Sequence, residues 1–565
     1  MSLLGGFSNK TAGCAKKNRK NEKKESAGFC RLFICCIILL LLFSAAKKEA
    51  VAGAPSGMTD IRVGLAALYG GKPQIKIENT RLGLGYCIGD VYQVDLELSS
   101  RTGFVFTPAA GYYYSLAKTY ASYENAERVA AVIRNLNVQA WPVAIYRNYW
   151  RVYVGGNATK EEAEAVYGKI KDRYGYRYSA LMADNGHRVL VQADGYSFLI
   201  DGQQKGAYPQ FKPLTTDAKG VAAVNLGSRS YRGRMEIGCY GKPSVTAVNV
   251  INIDSYLYGV VPCEMQTGYE MEALKAQAVC ARSFALMKVG YRADSNISRA
   301  YYLEDTTSSQ VYRGYGAEHA RTNRAVDETS GEAVYYNGKM VPAYYFSTSG
   351  GSTENVSEVW GMDSSYLLAV PDRYETEPEK QPWLITYTDD ELAAKLSARA
   401  LSVGAVHSVT PQVMTMSGRV YLLKVKGGSG STILQAGTIR EVLSLPSTKF
   451  KVVKRGDVPD AVAVSGAGQT VHKRLGECYA VSAGGAVSAL SGQLEQYILA
   501  GADYLMNYPR SAPKNADTWY FYGMGYGHGV GMSQSGANGM AKAGYGYREI
   551  ISYYYSGAVV GQIGT

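Results

Sequence analysis

The stretch Tyr256–Gly290, YLYGVVPCEMQTGYEMEALKAQAVCARSFALMKVG, decides most of what can be said about this chain. From Met271 it runs to Gly290 with no internal proline or glycine. It is rich in Ala, Leu, Lys, Gln and Arg, which are good helix formers, and this predicts a long helix. Thr267 and Glu270 have the T-x-x-E spacing of a capping box just ahead of it. Ala276, Ala278, Val279 and Ala281 leave no wide polar face, so the helix is expected to be buried nearly all round. Lys275 and Arg282, seven apart and on one face, then need partners. Before the helix stands a single acid, Glu264, between Cys263 and Met265 and behind Val260-Val261-Pro262. A carboxylate there is a helix-start residue, a metal ligand, a partner for the thiol, or a proton donor. A helix N-terminus favours its anion and the apolar neighbours favour the protonated acid, so the sequence leaves that contest open.

The text upstream of this stretch is β-rich and glycine-punctuated over 187–253, and mixed segments follow to about 450. An Ala/Gly/Ser-rich run at 456–516 reads as an insertion, and 187–565 as one large α+β domain that carries it. Before it, YENAERVAAVIRNL (123–136) and TKEEAEAVYGKIKDRYG (159–175) are amphipathic helices flanked by β-type text. Strand–helix–strand twice in about 80 residues is the split βαβ plan of a small ferredoxin-like (βαββαβ) domain, placed at 110–186. Residues 59–109 alternate and predict strands, and 47–58 form a small-residue linker.

Composition excludes several classes. At 565 residues the chain is long enough for two to four domains. Its formal charge of +12 is uneven, because residues 1–31 hold eight Lys and Arg against two Glu, a net of +6. Half the excess thus lies in a basic cytoplasmic tail and not on a folded face, which argues against nucleic acid as a partner. Leu32–Ala46 is 15 residues of nearly pure hydrocarbon between basic flanks and reads as a transmembrane anchor or a signal segment, with the bulk of the chain outside the cytoplasm. Nine cysteines without C-x-x-C spacing do not make a full disulfide framework.

Two further stretches carry chemistry. In YYFSTSGGSTENVSEVWG (344–361), hydroxyls and backbone amides cluster around Gly350 and Gly351, with Glu354, Asn355, Glu358 and Trp360 following. Such a loop suits a polyol, and the Trp360 face suits a sugar ring. In GYGHGVGMSQSGANGMAKAGYGYREIISYYYSG (525–557), His528 sits between glycines, at a density that marks backbone approaching something closely.

Taken in order, YLYGVVPCEM…EALKAQAVCARSFAL, FSTSGGSTENVSEVWG, GTIREVLSLPSTKF and GHGVGMSQSGANGMAKAGYGYREIISYYYSG resemble the SpoIID/LytB family, over about half the chain. The 110–186 segment, with WRVYVGGNATKEEAEAV at its centre, resembles the SPOR repeat, whose members bind glycan strands stripped of their stem peptides. The first resemblance implies a peptidoglycan lytic transglycosylase of sporulation or engulfment, with Glu264 of the P-x-E-M motif as the catalytic acid. Glu264 would protonate the glycosidic oxygen after N-acetylmuramic acid and then, as a carboxylate, take the proton of that sugar's C6 hydroxyl. The hydroxyl closes on C1 and leaves a 1,6-anhydro end; intramolecular attack supplies the rate that a second carboxylate would otherwise provide. By motif match Lys275, Gln277, Arg282, Gln310, Ser347, Ser349, Gly350, Gly351, Glu354, Asn355, Trp360, His528 and Gln534 would hold the sugar or the helix beside it. Peptidoglycan glycan, a cell-wall amidase and other engulfment proteins are the implied partners, with no cofactor. Many clostridial members carry Cys and His ahead of QVYRG and bind zinc there; this chain has Glu304, Ser308 and Ser309 instead, so no metal is expected. Three other readings compete: a non-catalytic glycan binder that enhances an amidase, a thiol hydrolase using Cys263 and His528, and a hydrolase in which Glu354 or Glu358 is a second carboxylate.

Overall fold

Strands and helices are mixed throughout the computed structural model, which describes residues 60–564 without 89–90, 146–148, 176, 184, 203–207, 294–300, 376–381 and, between 455 and 516, everything but six short strands. Leu32–Ala46 lies outside the described residues; among those described, no helix is long and apolar enough to cross a membrane.

The split βαβ pattern forms as strands Tyr112–Leu116, Ala140–Ile145, Tyr149–Asn157 and Tyr178–Met182 with helices Tyr123–Arg134 and Lys160–Tyr174. Local signals place the helix ends. The Ser122 hydroxyl accepts from Asn125 N, Thr159 and Glu162 close a reciprocal capping box, and Gly175 ends the second helix in the left-handed conformation. Ala126, Ala130 and Ile133 bury one helix face on the sheet. That sheet continues past residue 186. Tyr196–Ile200 pairs in parallel with Ala140–Ile145, and Val189–Ala193, Phe104–Pro108 and Ile75–Ile77 extend it to eight strands. Arg188 seals this junction, with no side-chain exposure: it binds Asp201 at 2.6 Å and the Gly111 carbonyl at 3.0 Å, and stacks on Tyr113.

The strands predicted over 59–109 are divided between two sheets. Asp60–Gly64 pairs antiparallel with Thr246–Asn252, and Arg81–Ile88 with Gln210–Pro213, in a seven-stranded sheet. Thr246–Asn252 runs directly into helix Ile253–Glu264, where the Asn252 side chain accepts from the first backbone N–H groups. Glu264 is therefore the last residue of a helix of its own. Thr267 and Glu270 do not form the expected box: the long helix begins at Met271, and Glu270 N donates to Asn538 Oδ1 at 2.9 Å. Met271–Ala293 is the central helix, with Ala273, Ala276, Ala278, Val279, Ala281 and Ala285 fully buried.

A second apolar core, around Leu392, Leu423, Ile439 and Phe521, belongs to a lobe spanning Trp383 to Gly523. Its strands Phe450–Lys454 and Thr518–Gly523 are antiparallel neighbours, Lys454 opposite Trp519, so the 456–516 run leaves and returns at adjacent strands. The described parts of that run are three two-stranded ribbons.

Candidate active site

Gly259 decides how the Glu264 helix meets the loop that follows the central helix. A Cβ there would lie 2.6 Å from the Tyr312 ring and 3.0 Å from the Gly314 carbonyl, so only glycine lets the loop press this closely. The packing brings Val311 N to 2.6 Å from Glu264 Oε1. Glu264 Oε2 makes no hydrogen bond with the described residues, and the residue is partly exposed. Burial raises the carboxyl to a pKa of about 7, against which the Val311 bond works. The helix-end geometry adds to this, because a C-terminus favours the neutral acid. The contest left open by the sequence thus goes to the protonated form, and an acid near neutrality can both give and take a proton.

A polar network backs the acid. Tyr256 Oη donates to Gln310 Oε1 at 3.2 Å, and Gln310 Nε2 donates to Tyr345 Oη at 2.9 Å and to the Ala281 carbonyl at 3.2 Å. Tyr345–Phe346 pairs in parallel with Met532–Ser533, which carries the next residue, Gln534, to Gln277 on the central helix (3.3 Å). Gln277 Nε2 is buried without a partner. Glu264 meets this network at the Val311 amide, next to Gln310, and the paired strands carry it on to Gln534 and Gln277; Ser347, partly exposed, comes directly after the Tyr345–Phe346 strand. Tyr256, Tyr345 and the Val311 amide were missed by the sequence reading; of QVYRG only Gln310 was named as a site residue.

The other residues of the expected set make contacts within the protein. Lys275 is bridged to Glu272 and Glu328, both at 2.8 Å. Arg282, fully buried, binds Asp254 at 2.9 Å and the carbonyls of Glu332 and Val326. Both cations hold helices together. The amides of the serine–glycine loop are taken up internally: Ser349 N and Gly350 N donate to the Glu375 carboxylate, the second at 3.0 Å, and Gly351 N donates to Ser349 Oγ at 2.9 Å. Gly350 and Gly351 supply the positive φ the turn requires. Beside Glu375, Asp372 is lifted to about 6 by burial and by the Glu375 charge, and accepts from Tyr554 Oη at 3.0 Å. No signal within the loop pointed to this acidic pair 21 or more residues downstream.

Glu354 is fully buried, accepting from Asn355 N at 2.9 Å, Thr415 Oγ1 at 2.5 Å and Ser417 Oγ. Asn355 holds Ala369 N and donates to Glu358 at 3.2 Å. The pKa of Glu358 is raised by burial and by neighbouring Glu354. His528 Nδ1 accepts from Val530 N at 3.1 Å and the ring also bonds the Tyr345 backbone. Burial and the Arg440 and Arg419 charges push its pKa down to about 3, so the imidazole is neutral. Trp360 remains 39% exposed, its ring 4.8 Å from Tyr344 and 5.0 Å from His528, as an aromatic face open to solvent.

In the segment ahead of QVYRG, Lys288 Nζ donates to Ser309 Oγ (2.8 Å) and the Ser308 carbonyl (2.9 Å), and Ser308 Oγ to Glu304 (2.6 Å). Among the described residues no three His, Cys, Asp or Glu side chains gather as a metal site would need.

Comparison with known proteins bears on both halves. Residues 241–336 match the SpoIID family model, described as stage II sporulation protein, and residues 108–178 match the SPOR domain model. The chain is 30% identical over 306 residues to the amidase enhancer of Bacillus subtilis, covering 54% of this chain and 40% of the relative. It is 29% identical over 222 residues to stage II sporulation protein D of the same organism, 37% of this chain and 63% of that one. An uncharacterised protein of Brachyspira hyodysenteriae is 26% identical over 300 residues, 52% and 77% of the two chains. The chain thus spans under two thirds of the length of both Bacillus relatives.

Proposed function

From a chain that carries a SPOR domain followed by a SpoIID domain, we propose a peptidoglycan lytic transglycosylase that cleaves peptide-free glycan after N-acetylmuramic acid and leaves 1,6-anhydro ends. The observation that carries the reading is Glu264: one oxygen held by Val311 N–H, the other unbonded, and the proton retained up to about pH 7. The protonated acid gives its proton to the glycosidic oxygen as the C1–O4 bond breaks. The resulting carboxylate takes the C6 hydroxyl proton as that oxygen bonds C1, which returns Glu264 to its starting state. This reading gives neither Glu354, sealed inside the loop, nor partly exposed Glu358 beside it the role of a second carboxylate. The SPOR domain would keep the same glycan close and raise its local concentration. Sporulation or engulfment, outside the cytoplasmic membrane, is the setting this reading assigns.

The second reading, a glycan binder that enhances an amidase, is favoured by the name of one relative, the amidase enhancer. Incubation with peptide-free glycan separates the two. Anhydro-muramic ends by mass are the expected products; reducing ends would mean a hydrolase, and binding without cleavage the enhancer. Because the acid must start protonated, kcat/KM is expected to be flat below about pH 7 and to fall above it. A bell-shaped profile would point to a second titrating group.

A further inference from the structure

The cations around Glu264 fall into two groups. Lys275, Arg282 and Arg232 are each held by carboxylates at 2.6–2.9 Å, and Arg321 donates to the Tyr269 carbonyl at 2.8 Å. Arg313 and Arg229 differ. Arg313 is exposed and makes no ion pair with a described residue. Arg229 pairs loosely with Asp305, at 3.9 Å, where the Asp305 oxygen is buried without a hydrogen bond, and it also interacts with the Tyr231 hydroxyl. Both guanidinium groups act on Cys263, the residue adjoining Glu264, where they oppose the effect of burial on the thiol. Arg313 is also two residues beyond Val311, whose amide holds the acid, and its own amide approaches Gly259 O at 3.4 Å.

Removing a stem peptide from muramic acid hydrolyses the amide on its lactyl ether and leaves a carboxylate. The peptide-bearing sugar has a neutral amide at the same place. The new charge belongs to the sugar whose C1 bond Glu264 would break. We propose that Arg313 reads this free lactyl carboxylate and so selects peptide-free glycan by charge. The inference rests on the glycan reading given above, and it makes Arg313 a specificity residue with no part in the proton transfers.

The test compares a glycan tetrasaccharide bearing free lactyl acids with its methyl ester, on the full chain and on Arg313→Gln. Two readouts are taken: release of anhydro product, and the rate at which iodoacetamide labels Cys263, resolved by mass. The labelling readout is local to the site, so SPOR binding does not register, and it needs no cleavage. Expected are a preference for the free acid and protection of Cys263 by that form alone. Arg313→Gln should lose roughly ten- to a hundredfold in kcat/KM on the free acid, the range for a charged hydrogen bond, with little change on the ester. Arg313→Lys should keep part of the preference. Equal protection by acid and ester, or an unchanged preference in Arg313→Gln, overturns the assignment. Selective protection without any product would leave it standing while removing the transglycosylase reading. Cleavage without preference would do the reverse.

Discussion

Glu264 and Glu354 both stand in stretches that carry candidate chemistry, and the fold treats their carboxyls in opposite ways. Glu354 is sealed from solvent, and both its oxygens are bonded, one to a backbone N–H and the other to two hydroxyls. Glu264 is partly exposed, with one oxygen bonded and the other not. A buried carboxylate with a full set of donors is scaffold, because its ionised form is satisfied. One with a single donor keeps its proton near neutrality, as Glu264 does at about 7, and remains able to pass it on. The same contrast separates Arg282, closed off by Asp254 and two carbonyls, from Arg313 at the surface.

The largest effect that would break this comparison is on cleavage. Glu264→Gln keeps the shape and removes the transferable proton, and should lower kcat for anhydro-product release by about 10²–10⁴-fold with glycan binding retained. Full activity in the variant would end the assignment. Glu354→Gln should act on the other side. It breaks the hydroxyl and amide pairing inside the loop and should cost about 1–3 kcal/mol in urea unfolding, while folded protein keeps cleaving. A loss of cleavage at unchanged stability would move Glu354 into the chemistry.

A smaller effect sharpens the comparison through pH. The folded protein holds the Glu264 proton to about pH 7, whereas an unfolded carboxyl releases it near its ordinary value of 4.5. Between these values the unfolded state has the fewer protons, so this group's contribution falls as pH rises from 4.5 to 7 and is flat above. Glu264→Gln removes that penalty. The variant should be more stable than wild type by about 1–3 kcal/mol at pH 8, with the gain vanishing near pH 4, as measured by denaturant midpoints at both pH values. Equal stability of the two proteins at pH 8 would show that the acid is well solvated when ionised.

The parts of the fold written in local signals were legible. The helices at 123–134 and 160–174 announce themselves by caps and periodicity, and the central helix by its alanines. Long-range pairings were not. Nothing in Asp60–Gly64 points to Thr246–Asn252 as its neighbour, and nothing in Ser349–Gly350 points to Glu375. Pro262 sits inside the last turn of a separate helix and leaves Glu264 at its end. At the site, Glu264 could be singled out as one acid among apolar neighbours, with its proposed role taken from the family resemblance. Its environment could not, because Val311, Tyr256 and Tyr345 gather around it only through the packing that Gly259 permits.

The smallest expected effect tests the nearest rival to the acid. Cys263 adjoins Glu264 and is partly exposed, and a thiol hydrolase would need it as a thiolate beside a base. Burial and the Glu264 charge instead raise its pKa, against the pull of Arg313 and Arg229. His528, the base such an enzyme would use, is committed to the Val530 amide and the Tyr345 backbone and is neutral, with Arg440 and Arg419 as its charged neighbours in place of the thiol. Neither half of a thiol–imidazole pair is therefore prepared. Cys263→Ala should change kcat/KM for anhydro-product release by no more than about twofold, since no proton moves through the sulfur. A collapse of activity with the folded signal intact would transfer the chemistry from the carboxylate to its neighbour.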